Sequence, residues 1–535
     1  MPRPILPALL AALSLLAAPR PARAQAEHEP VLRTAAFLIL QGDDTLVVER
    51  VRRTASTVVA HLATRAAPSL EMTFHLAADH TVPSTELLVR GVNAPPDAPP
   101  LQTGMLRIIG DSAFLDLRAG TMARTPRFAT RAGALPLTNN DFVVAEQLAR
   151  LALARNVRRL TWPVFATAGG QTLEATFERL GGDSARFTVA TSVTTMTLDA
   201  AGNITSAALP IPGLRIVVLD GAAATAVSLG RTDYGAPAGA PYTAEEVVVR
   251  TPAGHPLTGT LTRPTGASGR IPAVVTITGS GAQDRDEYIG IAGGVRLFRQ
   301  VADTLGRRGI AVLRLDDRGV GGSGGDVNGT SADFADDIRA AVAFLRARAD
   351  IDPDRIALVG HSEGGMIAPM LARTDARLAG IVLMAGPAYT GRDIIDYQVR
   401  NGLRADTSLR GAALDSAVRA TRAELDSTAG RSAWMRYFLA YDPLPTIRAV
   451  RQPVLLLQGA TDQQIRAEEA RILARELERA GNRRVQLTIV PDRNHLFLKD
   501  ANGHPAGYAA LQQNKVDAEV LGPLADWLAR TLRVP

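Results

Sequence analysis

Short apolar segments that alternate with helical patterns dominate the chain from residue 243 onward, and this alternation constrains the fold more than any other feature. A hairpin pattern at 247–261 opens the region, and amphipathic helical patterns separate the segments that follow. Six segments are almost continuously apolar: Pro272–Ile277, Ile310–Leu313, Ile356–Val359, Gly380–Met384, Val454–Leu457 and Val485–Ile489. Uninterrupted apolar strands joined by helices indicate a parallel sheet that is covered on both faces. With the hairpin, the sequence predicts eight mostly parallel strands.

The first half of the chain has a different pattern, in which apolar and polar residues alternate with a period of two. The alternation runs from about Ala35 to Leu229, and one helical pattern interrupts it at Asn140–Ala154. Such alternation is typical of consecutive antiparallel strands. The stretch 231–242 is rich in Gly, Ala and Pro and indicates a linker. We therefore predict a mainly antiparallel β domain over 25–230 and an α/β domain over 243–535.

The N-terminus has the features of an export signal. Arg3 precedes an apolar run, Ile5–Ala18, and Ala22-Arg23-Ala24 supplies a small-x-small cleavage site. The run is shorter than the roughly 20 residues that a membrane span needs. We therefore expect a cleaved signal over 1–24, rather than an uncleaved anchor, and no stable membrane span. The expected location is the periplasm of a bacterium or the extracellular space.

Composition excludes several kinds of chemistry and partner. The chain contains no cysteine, which excludes disulfides, thiolate metal sites and a cysteine nucleophile. The formal net charge is +6, and the predicted signal contributes three arginines and no acid to it. The other basic residues are spread along the chain without a patch, so we expect no nucleic-acid partner. The sequence does not indicate an oligomeric state.

One apolar strand leads into a motif that can carry a nucleophile. Ile356–Val359 is followed by Gly-His-Ser-Glu-Gly-Gly at 360–365 and then by a helical pattern. A G-x-S-x-G motif between a strand and a helix forms a sharp turn that exposes the serine at the helix N-terminus. Gly360 and Gly364 are expected because a Cβ at either position would collide with the neighbouring strand or helix. Ser362 is the predicted nucleophile.

A serine needs a base and an orienting acid to act as a nucleophile at neutral pH. Two later apolar strands end near suitable residues, Asp462 and His495. The carboxyl ends of parallel strands meet at one edge of a sheet, so we expect both residues to lie near Ser362. Asp492 is the alternative acid, and His504 is the alternative base.

The three motifs together resemble those of the α/β-hydrolase superfamily, over about residues 243–535. They are Gly-His-Ser-Glu-Gly-Gly at 360–365, Gly-Ala-Thr-Asp at 459–462 and Asn494-His495. Two further segments, 278–287 and 316–323, resemble post-strand loops of secreted bacterial esterases related to the dienelactone-hydrolase and serine-aminopeptidase-like groups. The resemblance implies the α/β-hydrolase fold and a catalytic triad of the predicted serine, histidine and aspartate. It implies no metal and no organic cofactor.

The resemblance also implies a pair of donors for the oxyanion that forms during acyl transfer. By the geometry of the family, one donor is the backbone N–H of Glu363, directly after the nucleophile. Many hydrolases begin the first post-strand loop with His-Gly, whereas this chain has Thr278-Gly279. The second donor is expected to be the backbone N–H of Ser280 or of Gly281.

Other residues near the motifs receive structural interpretations. We expect His361 to pack beside the turn, Arg318 to pair within its own loop, and Asp284 and Glu287 to be solvated. A helical insertion over about 388–450 is expected to lie over the carboxyl edge of the sheet as a lid that shapes the substrate pocket.

These features predict an exported serine hydrolase of the carboxylesterase kind, with a small-molecule acyl ester as its substrate. Two alternatives stay open. One is a serine peptidase or amidase of the aminopeptidase-like type, which would need a group that recognises a peptide terminus. The other is a catalytically silent ligand-binding protein of the cell envelope, because a fold alone does not determine function.

Overall fold

The chain contains two regions that are built on separate β-sheets. The computed structural model describes residues 29–534 except for short gaps, at 42–43, 65–67, 92–98, 121, 139–140, 168–169, 190–191, 211–213, 231, 267–268, 406–408, 430–431 and 512. The predicted export signal at 1–24 lies outside the described residues.

The first region has a ten-stranded antiparallel sheet, in which the last strand returns to pair with the first. Its strands are β1 (Arg33–Gln41), β2 (Asp44–Arg53), β3 (Thr57–Thr64), β4 (Ser69–His75), β5 (Ser84–Arg90), β6 (Gln102–Ile109), β7 (Ser112–Ala119), β8 (Met122–Arg124), β9 (Arg127–Ala129) and, after the second sheet, β16 (Leu214–Asp220).

A second sheet of six strands follows, antiparallel except for its first pair. Its strands are β10 (Leu135–Leu137), β11 (Arg159–Ala166), β12 (Gln171–Gly181), β13 (Ser184–Val189), β14 (Ser192–Leu198) and β15 (Ile204–Ala208). Helix α1 (Val143–Ala154) connects its first two strands, and a short helix α2 (Gly221–Ala226) follows β16. The mainly antiparallel N-terminal β domain that the sequence predicts is confirmed.

The two sheets and helix α1 share one apolar core. Leu148 and Leu151 of α1 are completely buried, and they belong to the same cluster as Phe37 of the first sheet and Phe177 of the second. Phe37 also stacks on Phe142, which directly precedes the helix, with ring centroids 4.7 Å apart. The alternating pattern in the strands therefore has its expected cause, which is a sheet face turned toward a shared core.

The second region is built on an eight-stranded sheet, in the order β17-β18-β22-β19-β23-β24-β25-β26. The first three strands of that order are antiparallel neighbours, and all the other pairs are parallel. The strands are β17 (Tyr242–Arg250), β18 (Pro256–Pro264), β19 (Ile271–Ile277), β22 (Ala311–Leu315), β23 (Ile351–His361), β24 (Gly380–Met384), β25 (Val454–Gly459) and β26 (Val485–Val490). This confirms the predicted eight-stranded, mostly parallel sheet. A small separate hairpin consists of β20 (Tyr288–Ile289) and β21 (Val295–Arg296).

Helices cover both faces of this sheet, which explains why its strands are apolar throughout. In β19, Val274 and Val275 are both fully buried, but they belong to different apolar clusters on opposite faces. The helices are α3 (Leu297–Gly306), α4 (Ser331–Ala347), α5 (Glu363–Ala372), α6 (Gly391–Ala405), α7 (Gly411–Ala429), α8 (Ala433–Ala440), α9 (Leu444–Arg448), α10 (Ala467–Arg479) and α11 (Ala518–Thr531). Two 3₁₀ helices lie at Gly290–Ala292 and Pro505–Ala510.

The insertion between β24 and β25 is helical, and it contains α6 to α9. Ile394 of α6 and Phe438 of α8 are buried in the same cluster as the sheet residues of one face. The insertion is therefore anchored to the sheet by its apolar side chains. No helix in the described part of the chain is long and apolar enough to cross a membrane.

We predict that the core of the β domain depends on Leu148. Leu148→Ala removes a completely buried side chain and is expected to destabilise the domain by about 2–5 kcal/mol, which calorimetry of the full chain would record as a lower unfolding temperature. Leu180→Ala is the matched control, because Leu180 of β12 is 42% exposed. Equal effects of the two substitutions would contradict the placement of α1 in the core.

Candidate active site

Ser362 occupies a sharp turn between β23 and α5. Its backbone has φ 53° and ψ −116°, a combination that residues other than glycine rarely adopt. A Cβ on Gly360 would lie 2.0 Å from the carbonyl oxygen of Gly364, and a Cβ on Gly364 would lie 2.1 Å from that of Ile277 in β19. The turn thus packs directly on itself and on the neighbouring strand, as in the nucleophile elbow of G-x-S-x-G motifs.

His495 and Asp462 lie side by side beyond the carboxyl ends of β26 and β25. His495 Nδ1 is 2.8 Å from Asp462 Oδ2, and each residue is only 5% exposed. Asp462 Oδ1 accepts backbone N–H bonds from Gln464 and Ile465, at 2.8 and 3.0 Å, which fix the carboxylate. When Nδ1–H donates to Asp462, His495 Nε2 is left as an acceptor. His495 lines the same cavity as Ser362.

The alternative acid and base lie elsewhere. Asp492 is exposed, and no hydrogen bond joins its side chain to His495. His504 Nδ1 accepts the N–H of Ala506 at 3.2 Å and so caps a 3₁₀ helix. Neither residue lines the cavity of Ser362. Asp462 and His495 therefore lie at the site of Ser362, whereas Asp492 and His504 do not.

Backbone N–H groups of two segments lie next to Ser362. Glu363 is the first residue of α5, where an N–H has no acceptor within the helix. Gly279 lies against Ser362, since a Cβ on it would be 3.2 Å from Ser362 Cβ, but its N–H already donates to a buried carboxylate at 2.7 Å. Ser280 lines the cavity of Ser362, whereas Gly281 lines a smaller neighbouring cavity. Of the two candidates for the second donor, Ser280 shares the cavity of Ser362 and Gly281 does not.

The expectation that Asp284 and Glu287 are solvated is wrong. Glu287 is 1% exposed, and its Oε1 atom lies 2.8 Å from His361 Nδ1 and accepts the Gly279 N–H. Asp284 Oδ2 accepts a hydrogen bond from the Tyr234 hydroxyl at 3.0 Å, and burial raises the pKa of Asp284. The Glu287 carboxyl is therefore part of the interior, and the Asp284 carboxyl is half-buried and hydrogen-bonded.

Arg285 and Asp286, which lie between these two acids in the sequence, are buried and form ion pairs. Arg285 Nη2 lies 2.8 Å from Asp316 Oδ2, and Arg285 Nη1 lies 2.7 Å from Glu246 Oε2. Asp286 forms an ion pair with Arg314 inside the sheet. The loop 284–287 is thus bound by charge to β17, β22 and the segment after β22. The partners come from distant parts of the sequence, which is why a local pattern does not reveal them.

The loop after β22 also differs from expectation. Arg318 pairs outside its loop, because its Nε atom is 2.7 Å from Asp337 Oδ2 in α4.

Asp317, which the sequence analysis did not single out, accepts hydrogen bonds from Thr278 Oγ1 at 2.7 Å and from the Gln283 N–H at 3.0 Å. Burial raises the pKa of Asp317 well above its usual range. Asp317 holds both ends of the loop 278–283, and the only sequence signal was an Asp-Asp pair directly after an apolar strand.

Ser362 opens into a cavity of about 340 Å³ beneath the helical insertion. Trp434 and Phe438 of α8 line it and stack on each other, with ring centroids 5.2 Å apart. Trp434 Nε1 also donates to the Glu363 carboxylate at 2.9 Å, which links the insertion to the residue after Ser362. The cavity therefore has an apolar wall on the side of the predicted lid. Among the described residues, no group of three His, Asp or Glu side chains is arranged to hold a metal ion.

A strained serine turn, a histidine–aspartate pair and an eight-stranded mostly parallel sheet define a domain of the α/β-hydrolase class. In agreement with this, residues 274–511 match the model of the alpha/beta hydrolase family. The second region of this chain therefore has the α/β-hydrolase fold, and its sequence is similar to that of α/β-hydrolase family members.

Two curated relatives align with parts of the chain. Esterase EstD of Thermotoga maritima is 29% identical over 281 residues, which are 51% of this chain and 66% of EstD. Dipeptidyl aminopeptidase BIII of Pseudoxanthomonas mexicana is 26% identical over 241 residues, 44% of this chain and 32% of the aminopeptidase. The matches therefore span just under two thirds of one relative and about a third of the other. Among solved structures, an esterase of Pyrococcus furiosus is 17% identical and covers 57% of this chain and 94% of its own, with a TM-score of 0.39.

We predict that Gly364 cannot be replaced without distorting the elbow. In Gly364→Ala the new Cβ would collide with backbone atoms of β19, and the expected loss is about 1–3 kcal/mol of unfolding free energy or more, measured by urea denaturation. Gly402→Ala in α6 is the control, because no atom lies within 4 Å of a Cβ there and alanine is the better helix former. A Gly364→Ala protein as stable as the control would show that the close approach is absent.

Proposed function

We propose that this protein is an exported serine hydrolase that cleaves carboxylic esters through an acyl-enzyme. The observation that carries the proposal is the 2.8 Å contact between His495 and Asp462 at a cavity that Ser362 also lines. A histidine held by an aspartate can activate a serine hydroxyl, because the aspartate fixes the ring tautomer and stabilises the imidazolium. EstD, an esterase by name, supports the same reaction.

In the proposed mechanism, Ser362 Oγ attacks the ester carbonyl while its proton passes to His495 Nε2. The carbonyl oxygen becomes an oxyanion, which accepts hydrogen bonds from the backbone N–H groups of Glu363 and Ser280. The C–O bond of the ester then breaks, and His495 returns the proton to the leaving alcohol. Water attacks the acyl-enzyme with His495 again as the base, and the carboxylic acid leaves as Ser362 regains its proton.

Esters are favoured over peptides by the charges of the cavity. An aminopeptidase needs a carboxylate that is free to bind the amino group of its substrate. The carboxylates among the described lining residues are Glu287 and Glu363. Glu363 accepts from Ser331 Oγ at 2.5 Å and from Trp434 Nε1, and Glu287 is bound to His361. Both are engaged in the interior, so the cavity suits a neutral acyl group.

The substrate class is tested with two panels, p-nitrophenyl acyl esters and aminoacyl p-nitroanilides. We expect turnover of the esters and at most slow turnover of the anilides. Asp462→Asn should lower kcat by about 10³–10⁴-fold, because the His495 ring loses its correct tautomer. The control Asp492→Asn should leave kcat unchanged, since Asp492 is exposed. Faster hydrolysis of anilides would favour the peptidase alternative. A folded protein that is inactive on both panels would favour the silent binding protein.

Export is the part of the proposal that rests on residues 1–24. We propose that the mature protein reaches the periplasm or the extracellular space after cleavage behind Ala24. Expression of the full chain in a bacterial host, followed by N-terminal sequencing of the fractionated protein, should give a mature chain that begins at Gln25. Recovery of the protein in the cytoplasm with an intact N-terminus would contradict export.

A further inference from the structure

A second histidine–carboxylate pair lies beside the proposed triad. His361, directly before the nucleophile, has its Nδ1 atom 2.8 Å from Glu287 Oε1 and its Nε2 atom 2.9 Å from the backbone carbonyl oxygen of His495. The ring of His361 also lies 4.8 Å from the ring of His495, measured between centroids. His361 is 2% exposed and Glu287 is 1% exposed. The pair is therefore part of the interior and adjoins both proposed reacting residues.

The hydrogen bonds of His361 favour its protonated form. A backbone carbonyl oxygen can only accept, and so can an ionised carboxylate, so each ring nitrogen must donate. His361 is then an imidazolium, paired with the Glu287 carboxylate. Burial alone lowers the pKa of His361, but the charge and the hydrogen bond of Glu287, with the carbonyl of His495, outweigh burial and raise it. The other groups that face the ring are Asp462, through its charge, and Phe497, 6.1 Å away between centroids.

Glu287 joins three segments of the proposed site. Its Oε1 atom accepts the N–H of Gly279, in the loop that contains Ser280, as well as the bond from His361. Through His361 it reaches both the elbow and the backbone of His495. Asp462 orients the ring of His495, but it does not hold the main chain of that residue. The backbone at Glu287 has a left-handed conformation, with φ 52°.

We propose that Glu287 and His361 are positioning residues of the reaction. The ionised pair holds the main chain of His495 and the loop of Ser280 at the distances from Ser362 that the tetrahedral intermediate requires. Neither group takes the serine proton, since both ring nitrogens of His361 are already donors and Glu287 acts through His361. This inference rests on the proposed esterase function and adds two residues to it.

The proposal predicts a loss in the chemical step rather than in binding. Glu287→Gln removes the charge that holds the imidazolium, and His361→Gln removes the link to the His495 carbonyl. Each should lower kcat for a p-nitrophenyl ester by about 10- to 100-fold with little change in KM, because a small misplacement of catalytic groups has effects of this size. The double variant should lose no more than either single variant, since the two residues act as one unit.

Asp375→Asn is the matched control for the loss of an ion pair. Asp375 is paired with Arg346 at 2.7 Å in the same domain, and neither residue lines the cavity of Ser362. It should retain the kcat of the wild type, with a smaller loss of thermal stability because this pair is partly exposed. A folded Glu287→Gln protein with full kcat, or additive losses in the double variant, would overturn the proposal. Absence of ester turnover in the wild type would instead contradict the proposed function.

The protonation state gives a test that does not depend on a measurement of activity. The chain has eight histidines, so nuclear magnetic resonance of the wild type with ¹⁵N-labelled histidine can resolve the individual rings, and the signals of His361 are those lost in His361→Gln. At pH 8, where a free histidine is neutral, we expect two ring N–H signals from His361. A single ring N–H at that pH would contradict the ionised pair.

Discussion

The close approach of the serine turn to β19 is the constraint on which the rest of the site depends. No Cβ fits at Gly360 or Gly364, because the backbone of the turn packs against itself and against the end of the neighbouring strand. The same approach puts the loop after β19 directly beside Ser362, where its N–H groups can face a developing negative charge. The positions of the proposed nucleophile and of its proposed oxyanion donors thus follow from one packing arrangement.

Buried charge holds the loops around this turn. Asp284, Arg285, Asp286 and Glu287 each have a partner on another segment, and Asp317 joins both ends of the loop 278–283. Removal of one partner from a buried ion pair leaves an uncompensated charge, which is far more costly than the loss of an exposed pair. These contacts give the loops fixed positions although they contain little regular structure.

The sequence predicts the sheet and the favoured site residues because both depend on local patterns. Continuous apolar runs indicate buried parallel strands, and Ser362, Asp462 and His495 each follow such a run. The contacts of Glu287 and Asp317 depend on partners far away in the chain. The sequence alone therefore predicts that the charged loop 284–287 is solvated. The sequence does not predict the pair of His361 and Glu287 for the same reason, because the acceptors of His361 lie 74 and 134 positions away.

Covalent labelling would show whether Ser362 is an activated nucleophile. The wild-type protein would be treated with a fluorophosphonate and digested, and the modified peptide would be identified by mass spectrometry. We expect one adduct, on Ser362, which is absent from Ser362→Ala and strongly reduced in His495→Ala. A folded wild-type protein that stays unlabelled, or an adduct on another serine, would contradict it.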